Sequence, residues 1–79
     1  MSAGRGRTLD TRGDLCPQPI IDLAAEITAL PAGAELVVLS DDAAFPADVR
    51  AWCAGTGHDL LALDRHDREF TARIRKRES

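Results

Sequence analysis

Apolar residues recur along this chain with two distinct periods. Between Pro17 and Leu30, the positions Ile20, Leu23, Ala24, Ile27 and Leu30 return at spacings of three and four. That pattern puts them on one helix face and leaves Asp22 and Glu26 on the other. Pro31, Ala32 and Gly33 end the helix. Leu36-Val37-Val38-Leu39, inside Glu35 to Ser40, is an unbroken apolar run of strand length. Such a run suits a strand flanked closely on both sides and central in its sheet. A second helix is predicted from Phe45 or Pro46 to Ala54, with Phe45, Val49, Trp52 and Cys53 at helical spacing and Gly55 and Gly57 as terminators. Asp59 to Asp64 and Glu69 to Arg75 read as strands. In the second, Phe70, Ala72 and Ile74 point inward while Thr71, Arg73 and Arg75 point outward. Arg65 to Arg68 is the hairpin loop between them. At the start, Thr8 to Arg12 makes a short strand that Gly13 and Asp14 break. The order is therefore β-α-β-α-β-β. A two-layer α/β sandwich, one four-stranded mixed sheet with both helices on one face, buries both apolar stripes.

Composition narrows this further. Seventy-nine residues are close to the lower limit for a self-sufficient core, so residues 8–79 are expected to form a single domain. The Gly/Ser/Arg-rich residues 1–7 precede it as a flexible segment. Hydrophobic residues at 44% and charged residues at 29% mark a globular chain, not a disordered one. Phe45, Trp52 and Phe70 are the only aromatics, so the core rests on Leu, Ile, Val and Ala. No apolar run approaches the roughly 18 residues of a membrane span. No hydrophobic stretch follows Met1 to Arg7 to suggest a secretory signal. Cytoplasm is the expected location, and a reducing compartment keeps both cysteines as thiols.

The net charge of −3 is unevenly spread. Residues 13–63 hold eight acids against one base, Arg50, whereas residues 64–79 hold six bases against four acids. A solvated surface with a basic tail accounts for this. The alternative is that the basic ends attract an acidic protein or RNA.

The candidate chemistry lies in Arg12-Gly13-Asp14-Leu15-Cys16-Pro17-Gln18-Pro19. Pro17 suits the first helical position, where an N–H has no partner, and this makes Cys16 the expected N-cap. A sulfur there accepts from the Gln18 N–H and faces the positive end of the helix dipole, which favours thiolate. Arg12 adds to that field if the preceding turn folds back. A thiol more acidic than the ~8.5 of free cysteine is therefore expected. Pro17 and Pro19 stiffen the segment that presents it. The alternative is a structural cysteine that only caps the helix, a job that Ser, Thr, Asp or Asn does better.

Cys53, beside Trp52 on an apolar stripe, reads as a small buried hydrophobe, with a resolving thiol for Cys16 as the sharper alternative. No C-x-x-C signals a redox dithiol. His58 and His66 stand at no zinc-ligand spacing, so no metal is expected. Asp41 and Asp42 read as turn and capping residues, and Gly13 in Arg12-Gly13-Asp14 serves a turn. Arg73, Arg75, Lys76 and Arg77 read as a solvated strand edge that resists strand addition.

Together, Leu9-Asp10-Thr11-Arg12-Gly13, Leu15-Cys16-Pro17-Gln18-Pro19 and a strand closing on Asp41-Asp42 resemble the TusA (SirA-like) family of small sulfur-carrier proteins. Asp48-Val49, Trp52-Cys53, Gly57-His58 and Leu60-Leu61 fit the same pattern, so the resemblance runs from about Thr8 to Lys76. Gln18, Asp14 and Ala43 depart from the residues frequent at those positions. The resemblance implies the β-α-β-α-β-β sandwich. It also implies that Cys16 accepts sulfane sulfur, in a site shaped by Arg12, Gly13, Pro17 and Pro19. A donor protein, either a cysteine desulfurase or a rhodanese-like protein, loads it. An acceptor protein takes the sulfur on toward tRNA thiolation, molybdenum-cofactor supply or sulfur oxidation. A cytoplasmic sulfurtransferase is thus expected, a monomer in transient complexes, with no cofactor, metal, membrane or direct nucleic-acid contact. Two rivals stand beside it. A redox-regulated interaction module would form a Cys16–Cys53 disulfide and carry no labile sulfur. A small RNA-binding module is opposed by the acidic balance and the scarcity of outward aromatics.

Overall fold

The structure, a computed structural model, describes residues 6–78. The elements run β1 (Gly6–Asp10), α1 (Gln18–Thr28), β2 (Glu35–Ser40), α2 (Phe45–Thr56), β3 (Asp59–His66) and β4 (Glu69–Arg75). This is the expected order. The sheet is mixed, in the order β1-β2-β4-β3, with β1 parallel to β2 and β4 antiparallel to both of its neighbours. The apolar run of β2 therefore sits inside the sheet, as its lack of polar positions requires. Leu36, Val38, Ala72 and Ile74 are buried with Leu23 and Ile27 of α1 and Phe45, Val49 and Cys53 of α2. These strand positions share one face, because strand side chains alternate. Both helices thus cover that face, and the other carries Glu35, Val37, Leu39, Thr71, Arg73 and Arg75.

Several boundaries differ from the sequence reading. β1 begins at Gly6, not Thr8, because its register against Glu35–Leu39 takes in Gly6 and Arg7. The last two positions of the expected flexible segment 1–7 are therefore strand, and residues 1–5 lie outside the described residues. Thr11 leaves the strand but stays buried, donating both its N–H, at 2.8 Å, and its Oγ1 to the Leu39 carbonyl. α2 continues through Gly55 to Thr56. Only Gly57 ends it, at φ 86°, with its N–H on the Cys53 carbonyl at 2.9 Å. The expected four-residue loop of the β3–β4 hairpin shrinks to Asp67-Arg68, since His66 pairs with Glu69. Asp67 takes the left-handed φ of 57° that such a tight turn demands.

The basic strand end is corrected most. β4 lies between β2 and β3, so it is no edge. Its cations pair across the sheet, Arg75 with Asp59 at 3.0 Å and Arg73 with Glu35 at 3.7 Å. Lys76 is half-buried and donates to the Thr28 and Leu30 carbonyls at 3.2 and 2.6 Å. It satisfies carbonyls that the end of α1 leaves free, at the negative end of its dipole.

Candidate functional site

Parallel pairing of β1 and β2 places the loop after β1 beside the turn after β2. Two aspartates of that turn stitch the loops together. Asp41 accepts the Gly13 N–H at 3.0 Å, and Asp42 accepts the Cys16 N–H at 2.6 Å. Gly13 can be reached because it adopts φ 95°, a conformation costly for any side-chain-bearing residue. Asp42 is itself positioned by Ser40, a buried residue whose Oγ accepts the Asp42 N–H at 3.2 Å. The loop then meets α1 through a cis Cys16–Pro17 bond. Pro19, in the first turn, is fully buried and anchors the helix start to the core.

Cys16 comes to rest half-buried at the end of this loop. Leu15 beside it in the chain is 76% exposed, and Ile21 on α1 is 56% exposed. The expected cap geometry is not formed. Pro17, not Cys16, is the N-cap of α1, no side chain caps the helix, and the Gln18 N–H goes to the Leu15 carbonyl at 2.9 Å. With no bond from the helix start, the sulfur loses the stabilisation that the sequence reading assigned to it.

The electrostatics confirm the correction. Burial pushes the Cys16 thiol up to about 12, and the carboxylates of Asp42 and Asp48 facing it push the same way, as hydrogen-bond acceptors and as charges. Asp42 is held below the usual carboxylate range, first by the Cys16 N–H and then by the Cys16 thiol and the Ala44 N–H. The thiol is therefore protonated at neutral pH, contrary to the expected acidity. Arg12 does not fold back toward it. Its guanidinium grips Asp10 at 2.9 and 2.7 Å and reaches Glu69 at 3.3 Å, and it brings the Asp10 carboxyl down to about 2. Arg12 shapes the site only by fixing the point where the loop leaves β1.

The structure thus gathers Gly13, Cys16, Pro17 and Pro19 and adds Asp41, Asp42 and Asp48. The sequence reading gave the first two of these aspartates only turn and capping roles and assigned Asp48 none. Ser40, at the end of a strand read as central, and Asp42, just past it, were the available signal. Their target could not be named until the order of the strands was known. Cys53 is 5% exposed on α2, packed in the core as expected.

Comparison with known proteins agrees with this architecture. The family described as sulfurtransferase TusA matches residues 7–76. The chain belongs to the TusA family. A Neisseria meningitidis serogroup A protein bearing the sulfur-carrier name is 39% identical over 64 residues, covering 81% of this chain and 86% of that protein. The sulfur carrier protein TusA of Pseudomonas syringae is 35% identical over 69 residues, covering 87% and 82%. Among solved structures, a SirA-like protein from Desulfitobacterium hafniense superposes with a TM-score of 0.78 at 25% identity, over 91% of this chain and 99% of that one. The TusA-family fold is thus the one built here. Among the described residues, no helix is long and apolar enough to cross a membrane.

Proposed function

We propose that this TusA-family chain is a cytoplasmic sulfur carrier in which Cys16 takes up sulfane sulfur as a persulfide and passes it to an acceptor protein. The observation that carries the reading is the contrast between the two thiols. Cys16 ends a pinned loop, half-buried and next to the exposed Leu15, whereas Cys53 is sealed in the core. The chemistry asks little else of the protein. The Cys16 thiolate attacks the outer sulfur of a donor persulfide, a new S–S bond forms, and the donor sulfur leaves as a thiolate. The donor is a cysteine desulfurase or a rhodanese-like protein, and the acceptor belongs to tRNA thiolation, molybdenum-cofactor supply or sulfur oxidation. The single domain that begins with β1 at Gly6 acts as one carrier that meets both partners transiently, with no bound cofactor.

The test is intact-mass analysis after incubation with a cysteine desulfurase and cysteine, before and after reductant. The wild type is expected to gain sulfur that reductant removes, and Cys16→Ser to gain none. Equal loading of Cys16→Ser would overturn the assignment. A reversible Cys16–Cys53 disulfide with no labile sulfur would favour a redox module instead.

A further inference from the structure

The chain leaving β4 closes a cavity of about 490 Å³ against the end of α1 and the start of β3. It lies at the opposite end of the sheet from Cys16. Ala34, just before β2, bonds Lys76, whereas Ser40, at the end of β2, positions Asp42. Six residues of strand set the two places about 20 Å apart. Ile27, Leu30 and Pro31 form an apolar wall, and the nitrogen-bearing side chains are those of His58, Lys76 and Arg77. All three are held in place. Lys76 Nζ uses two of its three donors on the Thr28 and Leu30 carbonyls, at 3.2 and 2.6 Å, and keeps the third. The Arg77 N–H donates to His58 Nδ1 at 2.9 Å, so the neutral ring carries its proton on Nε2, as a donor. Trp52 stacks on that ring with the centroids 5.1 Å apart. The Arg77 side chain lies against Gly57, its Cδ 3.5 Å and its Nη1 3.7 Å from where a Cβ would stand.

The charges at this cavity are of one sign. Among the described residues no acid lines it, and neither Lys76 nor Arg77 forms an ion pair. The acids next along the chain face other groups: Asp59 pairs with Arg75 at 3.0 Å, and Glu78 Oε2 lies 3.5 Å from the place of a Cβ on Gly33. Lys76 also covers carbonyls at the C-terminus of α1, whose negative dipole end would otherwise repel an anion. The cavity at the β3–β4 hairpin differs, because Asp41 and Asp67 line it with Arg65 and Arg68 and the charges cancel.

We propose that the cavity between α1 and the chain after β4 binds an organic anion, an oxyanion head of carboxylate or phosphate on a short apolar body. The head takes donors from Arg77, the free Lys76 N–H and His58 Nε2, and the body lies on Ile27, Leu30 and Pro31. Hydrogen bonds from guanidinium and ammonium groups to such oxyanions are the strong ones. The volume falls within the range of ordinary small-molecule sites. A ligand at this end leaves Cys16 uncovered, so the site is a second one, separate from the thiol.

Trp52 is the only tryptophan, and it stacks on a wall of the cavity, so its fluorescence reads occupancy in the intact chain. The probes are hexanoate and hexyl phosphate at constant ionic strength. Hexylammonium gives the same body with the opposite charge, and acetate gives a head without the body. At least one of the two anionic probes is expected to produce a saturating change in about the millimolar range. Acetate is expected to bind severalfold more weakly and hexylammonium to give no response. Arg77→Gln is expected to weaken binding about tenfold or more, while Arg68→Gln, at the far hairpin, leaves it unchanged. Circular dichroism checks that both variants are folded. A second arm needs no variant. In proton NMR the bound probe should shift the ring resonances of His58 and not those of His66, at the other end of β3. No saturable response to either anionic probe, an equal response to hexylammonium, or equal shifts of the two histidines would overturn the site, as would unchanged affinity in folded Arg77→Gln. Acetate binding as tightly as hexanoate would overturn the apolar wall as part of it. None of these readouts involves sulfur, so failure here and failure of Cys16 to load are separate results.

Discussion

Cys16 and Cys53 carry the same side chain in opposite circumstances. Cys53 packs with Phe45 and Val49 on α2 at 5% exposure, where a thiol behaves as a small hydrophobe. Cys53→Ala leaves a small void and is expected to cost about 1 kcal/mol in urea denaturation while loading of Cys16 by a sulfur donor stays near normal. Loss of loading in a folded Cys53→Ala protein would make Cys53 a resolving thiol. The identity of the presented cysteine was legible, since Cys-Pro-Gln-Pro ahead of an amphipathic stretch marks a stiffened helix start. Its acidity was not. The sequence argument considered only groups close along the chain, and the charges that act on the sulfur, Asp42 and Asp48, come from the turn after β2 and from α2.

At the scale of elements, the two glycines near the end of α2 show how much of a helix boundary depends on one dihedral angle. Both looked like terminators. Gly55 is helical, and a Cβ added there meets nothing within 4 Å. Gly57 holds φ 86°, which a side chain adopts only under strain, and its Cβ would also approach the Arg77 side chain at 3.5 Å. The same substitution is thus expected to act in opposite directions. Gly55→Ala should stabilise by up to about 1 kcal/mol through helix propensity. Gly57→Ala should destabilise by about 1 kcal/mol. Thermal melts of the two single variants check the pair, and shifts of the same sign would contradict the boundary. The existence of both helices was readable from their periodicity. Their ends were not, because Lys76 and the Gly57 cap complete them with groups that periodicity does not see.

For the molecule as a whole, the raised thiols set a dependence on pH. Burial lifts Cys16 to about 12, helped by Asp42 and Asp48, and burial lifts Cys53 to about 11, helped by the charge of Asp59, both from an ordinary value of 9.0. As pH climbs past 9.0, the unfolded chain gives up these protons first and the folded chain still holds them. Stability is therefore full below that point and falls as pH rises toward 11–12. The chain has no tyrosine and a single lysine, so few other groups titrate there. The urea midpoint is expected to drop between about pH 8 and about pH 11. A Cys16→Ser/Cys53→Ala variant should lose much of that slope, and an equal slope in it would show that the thiols are not its source.

The sequence by itself determined the β-α-β-α-β-β order, the central place of Leu36-Val37-Val38-Leu39, the buried stripes and the identity of the presented thiol. Each follows from local periodicity or from the restricted backbone of proline and glycine, which neighbours along the chain are enough to specify. The tertiary structure alone decided that β4 lies between β2 and β3, which turns a supposed solvated edge into paired cations. It also decided that the loops after β1 and β2 lie side by side, which brings Asp42 to the Cys16 amide. Strand order and the meeting of loops depend on contacts between residues far apart in the chain, and no local pattern carries them. The protonation state of Cys16 is such a property, because it is set by burial and by two carboxylates that only folding brings near.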